Sequence, residues 1–399
     1  MSLKILLVSR MNADFERWVS LADYLYDKME VHMFHARDLE RLENPAMHAV
    51  LDECGVEIKT YANFSFFHRI FLWLNTIARD YSSHILWRLG QIFKKIGQRQ
   101  LKTKLYNYLD KLNPDVLFIT PYPEMEESGY EGLCYCHEWF VDNDRYVISA
   151  DHGSMIYVPK NSLVEINQYI HWFFSSSEMY AKRVVGRDLR NSAMNIGDLK
   201  NSIAFMSKLK SYYRKICDGR TVALFIPSDI NVNVKHWNFT LQMVDKLLNH
   251  EEIDNIIVKA HPNSTYLSLS KALPQDPKVK FIYTEYNSCE ICFEADIVIS
   301  HPSSVLIDAL SLDSRVYLVD SIAEWDVIHC YRELDLLALS FSEWLEVESI
   351  FDLPFSFNSE ALKKFAYNYA LHGENRETVY RFLLENCSPQ SASFLEDVS

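Results

Sequence analysis

Short apolar runs recur along the first half of the chain, and polar residues or a proline follow each of them. The first run, Lys4 to Ser9, is almost continuously aliphatic, which is typical of a strand buried on both faces. The stretch after it carries Trp18, Leu21 and Leu25 at the spacing of one helix face. The same signals predict further strands in the segments VEIKTY, DVLFITPYP, RYVISADHG and IHWFFSSSE. Strands and helices therefore alternate through the first half.

The second half repeats this alternation. Its predicted strands and helices are, in chain order, TVALFIPSD, WNFTLQMVDKLLNH, NIIVKAHP, VKFIYTE, DIVISHPSS, VLIDALSL and RVYLVD. Short apolar strands alternating with helices indicate parallel sheets covered on both faces. We therefore predict an α/β protein of two doubly wound, Rossmann-like domains that face each other across a cleft. The predicted limits are residues 1–205 and 218–358 for the two domains, and 359–399 for C-terminal helices that cross back to the first.

The segment from Phe64 to Lys104 differs from the rest of the chain in charge. It has eight basic residues and a single acid, Asp80, whereas the whole chain has a net charge of −14. Its apolar residues recur at helical spacing. One interpretation is a core helix whose polar face is basic. The other is a basic amphipathic helix that lies on an anionic membrane surface or lines an anionic acceptor groove.

Composition narrows the class of protein. With 399 residues, of which 48% are hydrophobic and 14% aromatic, the chain is long enough for two folded domains. The net charge of −14 argues against nucleic acid as a partner. The eight cysteines include a C-x-x-C at Cys289 and Cys292, but no second pair or histidine stands at a metal-ligand spacing. Reduced cysteines that serve packing, and no metal site, are therefore expected.

Neither a membrane span nor a secretory signal is predicted. No stretch of about 18 apolar residues free of charge occurs. The chain opens directly on a predicted strand, without the apolar core and cleavage site of a signal peptide. These observations predict a cytoplasmic protein. Because of the basic segment, peripheral binding at the cytoplasmic face of the inner membrane is a further expectation.

Candidate binding residues follow from the predicted sheets. In open parallel sheets, ligands bind beyond the carboxyl ends of the strands, near the switch in strand order. The P-loop and dinucleotide fingerprints are absent from the sequence. The turn SHPSS instead places hydroxyls at a strand end where a helix begins, which suits a phosphate, although helix capping alone explains one serine. The candidate ligands in this turn are Ser300, His301, Ser303 and Ser304, and the role of His301 stays open.

Other strand ends supply candidates for chemistry. His261, in KAHPNS, can donate to a phosphate leaving group or act as an acid or base, or it can simply bond to a loop carbonyl. Asp229, in IPSDINVN, can be a nucleophile or a base, or only a turn residue. Asp151 and His152, in ADHGS, suit deprotonation of an incoming hydroxyl, although a plain loop explains them equally well. The polar positions that complete the predicted binding set are Ser228, Lys259, Pro262 and Glu285.

These motifs resemble those of the GT-B glycosyltransferases that use CMP- or CDP-activated donors. The order of His261-Pro262 and Ser303-Ser304 is similar to the His-Pro and serine-rich motifs that hold a cytidine nucleotide in that group. The segment PSDINV, with Asp229 ahead of His261, looks most like the retaining β-Kdo transferases of bacterial surface-polysaccharide synthesis. The second His-Pro, at His301, departs from the pattern of the family.

The resemblance implies an activity and a division of labour between the domains. The first domain would hold the acceptor and the second the donor, with Kdo moving from CMP-β-Kdo to a hydroxyl of a capsule or lipopolysaccharide glycan, which can be lipid-linked. Asp229 would be the nucleophile of this retaining reaction and His261 would assist the phosphate, without a metal. Alternatives on the same fold are an inverting sialyltransferase or a CDP-glycerol glycerophosphotransferase, with Asp151 or His152 as base. A non-catalytic relative that binds glycan or membrane is a further alternative.

Overall fold

The computed structural model of the chain shows two parallel β-sheets and the helices that cover them. It describes residues 2–9, 12–36, 44–80, 84–120, 131–150, 170–175, 192–226, 234–261, 267–282, 286–312, 314–320, 334–360 and 375–388.

The first sheet belongs to the N-terminal half of the chain. Its strands are β1 Lys4–Ser9, β2 Glu30–His35, β3 Ile58–Thr60, β4 Val116–Ile119, β5 Tyr146–Ala150, β6 Trp172–Ser175 and β7 Ser192–Asn195. Among the described residues they form one parallel sheet in the order β3-β2-β1-β4-β5-β6-β7. Strand β1 is almost entirely buried, as its aliphatic run predicts, because helices lie on both faces of the sheet.

Helices cover the two faces of this sheet. They are α1 Asn12–Leu25, α2 Pro45–Cys54, α3 Tyr61–Phe64, α4 Phe66–Asp80, α5 His84–Leu112, α6 Glu131–Asp142 and α7 Ile203–Tyr212. On one face α1 buries Trp18 and Leu25 in the core that contains Ile5 of β1. On the other face α5 buries Leu101 and its neighbours against Leu6. The alternation of adjacent β1 residues between the two cores is the period of two expected of a strand.

The second sheet belongs to the C-terminal half. Its strands are β8 Thr221–Phe225, β9 Asn255–Lys259, β10 Val279–Ile282, β11 Ile297–Ser300, β12 Arg315–Val319 and β13 Ala338–Leu339. In the described part of the chain they pair in parallel, in the order β10-β9-β8-β11-β12-β13. The helices around them are α8 Val234–Leu248, α9 Leu267–Ala272, α10 Ser288–Glu294, α11 Val305–Ser311 and α12 Phe341–Glu346.

The second sheet is also buried on both faces. Val298 of β11 lies in one core with Leu306 and Leu310 of α11. Ile299, the next residue along the strand, lies in the other core with Met243 of α8. Two parallel, doubly wound sheets of this kind confirm the predicted fold class, an α/β protein with two Rossmann-like, GT-B-like halves.

Two helices tie the C-terminal and linking parts of the chain to the first sheet. Helix α7 buries Phe205 in the core of the first sheet, so the predicted domain limit at residue 205 falls inside a helix. Helix α13, Asn375–Asn386, places the ring of Phe382 with its centroid 5.1 Å from that of Trp172 in β6. The Arg376 guanidinium pairs with Asp23 of α1 at 2.8 Å. The limits of the two domains themselves remain predictions.

The basic segment at residues 64–104 forms α4 and most of α5, in line with its helical spacing. The C-terminal turns of α5 reach the core of the first sheet, whereas the rest of the helix pairs with α4. No helix in the described ranges is both long and apolar enough to cross a membrane.

Candidate functional site

The order of the strands locates the candidate site. In the second sheet the order switches at β8, whose neighbours are β9 and β11. In the first sheet the corresponding switch lies at β1, between β2 and β4. Connections leave such adjacent strands in opposite directions, so their carboxyl ends border an open crevice in which ligands bind. The Ser300–Ser304 turn stands at one of these ends, directly after β11.

The Ser300–Ser304 turn is held together by its own hydroxyls. Ser300 is buried and donates from Oγ to the His301 carbonyl oxygen at 2.8 Å, and its Oγ lies 3.2 Å from that of Ser303. Ser303 and Ser304 are only half-buried. Ser304 precedes α11 in the N-cap position, but its side chain makes no capping hydrogen bond. Capping therefore does not account for the Ser304 hydroxyl.

His301 is a packing residue of this turn. Its ring is buried, with centroids 5.1 Å from His236 and 6.1 Å from Phe341. Phe239 lies at 6.4 Å, nearly edge-on. Burial, with a smaller effect from His236, lowers the pKa of His301 to about 3. The imidazole is therefore neutral at physiological pH and anchors the turn to α8 and α12.

Lys259 and His261 stand at the end of β9, two strands away from β11. The two strand ends are therefore separated by roughly 10 Å, twice the spacing of neighbouring strands. Lys259 is buried, and its Nζ donates to the Ala260 carbonyl oxygen at 3.1 Å. His261 is half-buried at the edge of the sheet. The Ser300–Ser304 turn and His261 thus border the same crevice from its two sides.

Several predicted site residues lie outside the described residues. They are Asp151, His152, Ser228, Asp229, Pro262 and Glu285. Their roles stay predictions.

Buried polar residues lie at the carboxyl edge of the first sheet, and the sequence did not predict all of them. The Ser9 hydroxyl at the end of β1 lies 2.8 Å from Nδ1 of His35, at the end of β2. The Thr120 hydroxyl, directly after β4, donates to Asp14 of α1 at 3.1 Å. Ser9 and Thr120 follow from the strand-end rule, and the same rule applied to β2 finds His35. Asp14 had no such signal, because it lies inside a helix.

A layer of buried charges joins the two halves of the molecule. Lys200, in the short 3₁₀ turn Leu199–Asn201, places its Nζ 2.9 Å from Asp308 of α11 and 3.5 Å from Glu16 of α1. Ser288 of α10 donates to the same Asp308 carboxylate at 2.8 Å. Burial opposes the charge of Lys200, but Asp308 and Glu16 outweigh it and raise the pKa of Lys200 well above its usual value. The ammonium therefore stays charged between two carboxyl groups.

Glu290 of α10 is a buried carboxyl at the edge of this layer. It accepts a hydrogen bond from the Asn287 backbone N–H at 2.9 Å and so caps its own helix. Burial raises the pKa of Glu290 to about 7, with Asn287 opposing the shift and Glu16 adding to it. The group therefore exchanges its proton near neutral pH, which is the range that general acid–base catalysis needs.

Within the described residues, no cluster of histidine, cysteine and carboxylate side chains has the geometry to hold a metal ion. Seven cysteines of the described residues are free thiols, Cys289 and Cys292 among them. Burial raises the pKa of both of these thiols well above the usual value. They are therefore protonated packing residues.

Comparison with known proteins finds similarity in structure alone. No protein-family model and no curated protein matches the sequence. A UDP-GlcNAc 2-epimerase from Neisseria meningitidis, solved with UDP-GlcNAc bound, is similar with a TM-score of 0.61 at 12% identity, over 96% of this chain and 100% of that one. MnaA of S. aureus, solved with UDP, has a TM-score of 0.61 at 11% identity over 96% of both chains. The UDP-GlcNAc 2-epimerase of Methanocaldococcus jannaschii has a TM-score of 0.56 at 12% identity, over 96% and 99%.

These structures share the fold over nearly the whole chain, including both sheets. At 11–12% identity the likeness concerns architecture. It supports the GT-B-like fold that the resemblance implied and does not support a CMP-Kdo transferase.

The prediction of a CMP-Kdo-dependent transferase is wrong. The structures that share this fold over nearly the full length include UDP-GlcNAc 2-epimerases, one of them solved with UDP-GlcNAc, and MnaA of S. aureus solved with UDP. The comparisons do not support the alternatives that use a cytidine nucleotide either. The physical reason is that His-Pro and Ser-Ser turns report polar strand ends at a switch point, a feature of the fold. They carry no information about the base of the nucleotide or about the reaction.

Proposed function

We propose that this chain binds a UDP-sugar between its two sheets and changes the configuration of the sugar, as an epimerase of nucleotide sugars. The observation that carries the proposal is the fold. Over 96% of the chain it matches a UDP-GlcNAc 2-epimerase bound to UDP-GlcNAc and a protein bound to UDP. The residues at the two switch points are polar, as a site for such a ligand requires.

The second sheet would hold the diphosphate. Ser303 and Ser304 are half-buried residues at the end of β11, and the Ser304 side chain makes no hydrogen bond that caps α11. His261 borders the same crevice from the end of β9. Helix α11 has only seven residues, so binding would rest on these side chains more than on the helix dipole. Hydroxyl and imidazole donors suit phosphate oxygens.

The chemistry would need groups that take up and return a proton. Inverting a carbon that bears hydrogen requires removal of a proton from one face and delivery to the other. Among the described residues, Glu290 is a candidate because burial raises its pKa to about 7. Asp14 and His35, at the carboxyl edge of the first sheet, are candidates on the opposite side of the crevice.

The experiment that tests this proposal is proton NMR of UDP-GlcNAc incubated with the chain in D₂O. An epimerase acting at C2 exchanges the C2 proton with solvent, so the C2 signal disappears and a second UDP-HexNAc anomer signal appears. The variant Glu290→Gln keeps the size of the side chain and removes its titration. We expect it to slow the exchange by at least about tenfold.

Ser211→Ala is the control for effects of mutation and purification that are unrelated to the site. Ser211 is exposed on α7, and its hydroxyl donates to the Lys208 carbonyl oxygen of the same helix. Tight binding of UDP-GlcNAc without deuterium incorporation would reject epimerisation and leave UDP-sugar binding intact. Cleavage of the sugar in the presence of a glycan acceptor would identify a transferase instead.

A further inference from the structure

The helices α4 and α5 pack against each other as a hairpin. Its helices run antiparallel, because Ser65, just before α4, donates to Gln100 of α5, while Phe67 stacks on Phe93. The ring centroids of Phe67 and Phe93 are 6.2 Å apart. The packing between the helices thus uses one face of each, and the remaining faces point away from the partner helix.

Helix α5 presents an apolar stripe to solvent. The residues Ile85, Leu89, Ile92 and Ile96 follow the spacing i, i+4, i+7, i+11 and are 43% to 74% exposed. This spacing aligns them along one face of the helix. Each isolated exposed aliphatic residue would be ordinary, but four in a row on a helix are a continuous surface.

Helix α4 continues the stripe. Phe66 and Trp73 lie two turns apart on one face, and each is 62% exposed. At 100° per residue this face lies about a quarter turn from the face that packs on α5. On α5 the angle from the face that packs on α4 to the exposed stripe is about the same, a quarter turn, and it is measured in the same direction of rotation along the chain. Because the helices are antiparallel, the two stripes therefore share one side of the hairpin.

Basic side chains border this apolar surface on its outer edges. On α5, Arg88, Lys95 and Arg99 are exposed and lie three residues after Ile85, Ile92 and Ile96, respectively, along one flank of the stripe. On α4, Arg69 is exposed and takes the equivalent flanking position after Phe66. Residues 64–104 contain a single acid in a chain whose net charge is −14. Positive charge is therefore concentrated in the segment that carries the exposed apolar surface.

We propose that this face of the α4–α5 hairpin docks the chain on an anionic lipid bilayer. Apolar residues with tryptophan and phenylalanine would enter the boundary between headgroups and acyl chains, while the arginine and lysine rims would meet the anionic headgroups. A contact with a protein is the competing occupant, and the test below distinguishes it from a lipid surface. The hairpin lies on the membrane rather than across it, since no described helix can span a bilayer.

Flotation of the full chain with vesicles tests this proposal. We expect binding to vesicles that mix phosphatidylcholine with phosphatidylglycerol, and much weaker binding to phosphatidylcholine alone. The variant Ile85→Ser/Ile92→Ser should weaken partitioning by at least about tenfold, because it removes two aliphatic side chains from the buried contact. Its matched control is Ile203→Ser/Leu384→Ser, which changes residues of similar exposure, 51% and 45%, outside the hairpin.

A second pair of variants tests the charge. Arg88→Gln/Lys95→Gln/Arg99→Gln should lower partitioning to the anionic vesicles on the order of a hundredfold and make the remaining binding less sensitive to salt concentration. Lys111→Gln/Lys215→Gln/Lys271→Gln removes three exposed lysines outside the basic segment and should bind as the unchanged chain does.

Failure of the unchanged chain to float with anionic vesicles would overturn the proposal, and so would an equal loss in the controls. Light scattering measures the oligomeric state and so tests whether the face binds a second copy of the chain instead of a membrane. If Ile85→Ser/Ile92→Ser converts an oligomer into a monomer and no vesicle binding is seen, the face is a contact between copies of this chain.

Discussion

The residues of the Ser300–Ser304 turn differ in burial, although the hydroxyl of Ser303 bonds to that of Ser300. Ser300 and His301 are buried and bond or pack within the second half of the molecule. Ser303 and Ser304 are half-buried residues next to the switch point. A sequence can show a histidine and serines at a strand end. It cannot show that His301 packs on Phe341, because that contact joins residues distant in the chain.

The neutral state of His301 predicts a dependence of stability on pH. The folded chain holds this imidazole neutral down to about pH 3, whereas the unfolded chain protonates it near the ordinary pKa of 6.5. Because the unfolded state binds the extra proton, stability falls as the pH decreases from about 6.5 toward 3. Between pH 7 and pH 5 this residue should account for about 2 kcal/mol of the lost free energy of unfolding.

Urea unfolding of His301→Phe at both pH values measures this effect. The phenyl ring suits the aromatic pocket and does not titrate, so the variant should lose about 2 kcal/mol less than the unchanged chain over the same interval. The exposed His84→Gln serves as control and should keep the original difference. Identical pH dependence in His301→Phe and the unchanged chain would show that His301 is not buried as described.

At the scale of elements, apolar runs and helical spacing predicted ten of the thirteen strands in the described ranges, with β2, β7 and β13 missed, and they predicted the helices α1, α4, α5, α8 and α11. The apolar runs at β1, β9 and β11 are buried on both faces, as continuous runs are expected to be. The packing between elements could not be predicted from the sequence, because it depends on which faces of the helices and strands contact each other in the folded chain. Gly90 and Gly132 illustrate this: both lie in helices, but only the structure shows what each would touch.

Alanine at these two glycines should have opposite effects on stability. A Cβ at Gly90 would stand 3.6 Å from Phe71 and 3.7 Å from Leu74, which is ordinary contact between α5 and α4. Gly90→Ala should therefore stabilise the chain by up to about 1 kcal/mol, the difference in helix propensity. A Cβ at Gly132 would overlap the Tyr61 ring and stand 2.9 Å from Phe34.

Gly132→Ala should destabilise the chain by about 1–3 kcal/mol, as overpacking of a core does. Thermal and urea unfolding of the two variants measure the difference directly. The description of α6 against α3 would be contradicted if Gly132→Ala were as stable as the unchanged chain.

At the scale of the whole molecule, the two halves meet at the buried layer of Glu16, Lys200 and Asp308. These residues come from α1, from the 3₁₀ turn after β7 and from α11. Nothing in the sequence marks them, because charged residues at these positions look like ordinary solvated helix faces. The nature of the ligand was equally inaccessible. Short motifs at Ser303 and His261 suggested a cytidine nucleotide, whereas structures with the same overall fold bind UDP.

Removal of the lysine from this layer should be costly. Lys200→Met leaves two buried carboxyl groups without a cation, and we expect a loss of about 3–5 kcal/mol in the free energy of unfolding. Adding Glu16→Gln and Asp308→Asn to Lys200→Met should recover part of that loss, since no uncompensated charge then remains. Lys28→Met removes a half-exposed partner of Asp27 and serves as control, with little expected effect.

Chemical denaturation of these variants is the measurement. If Lys200→Met proved as stable as Lys28→Met, the layer would be solvated and the two halves would not meet as described.

The identity of the ligand is the central proposal, and isothermal titration calorimetry with UDP and CMP distinguishes the two nucleotides. Ser303→Ala/Ser304→Ala removes two hydroxyls, one of which bonds to Ser300, and leaves the buried Ser300 and His301 in place. Ser211→Ala is the control. We expect UDP to bind the unchanged chain and Ser211→Ala at least about tenfold more tightly than CMP, and Ser303→Ala/Ser304→Ala to lose about tenfold in UDP affinity. Binding of CMP in preference to UDP, or of neither nucleotide, would contradict the proposed UDP-sugar site.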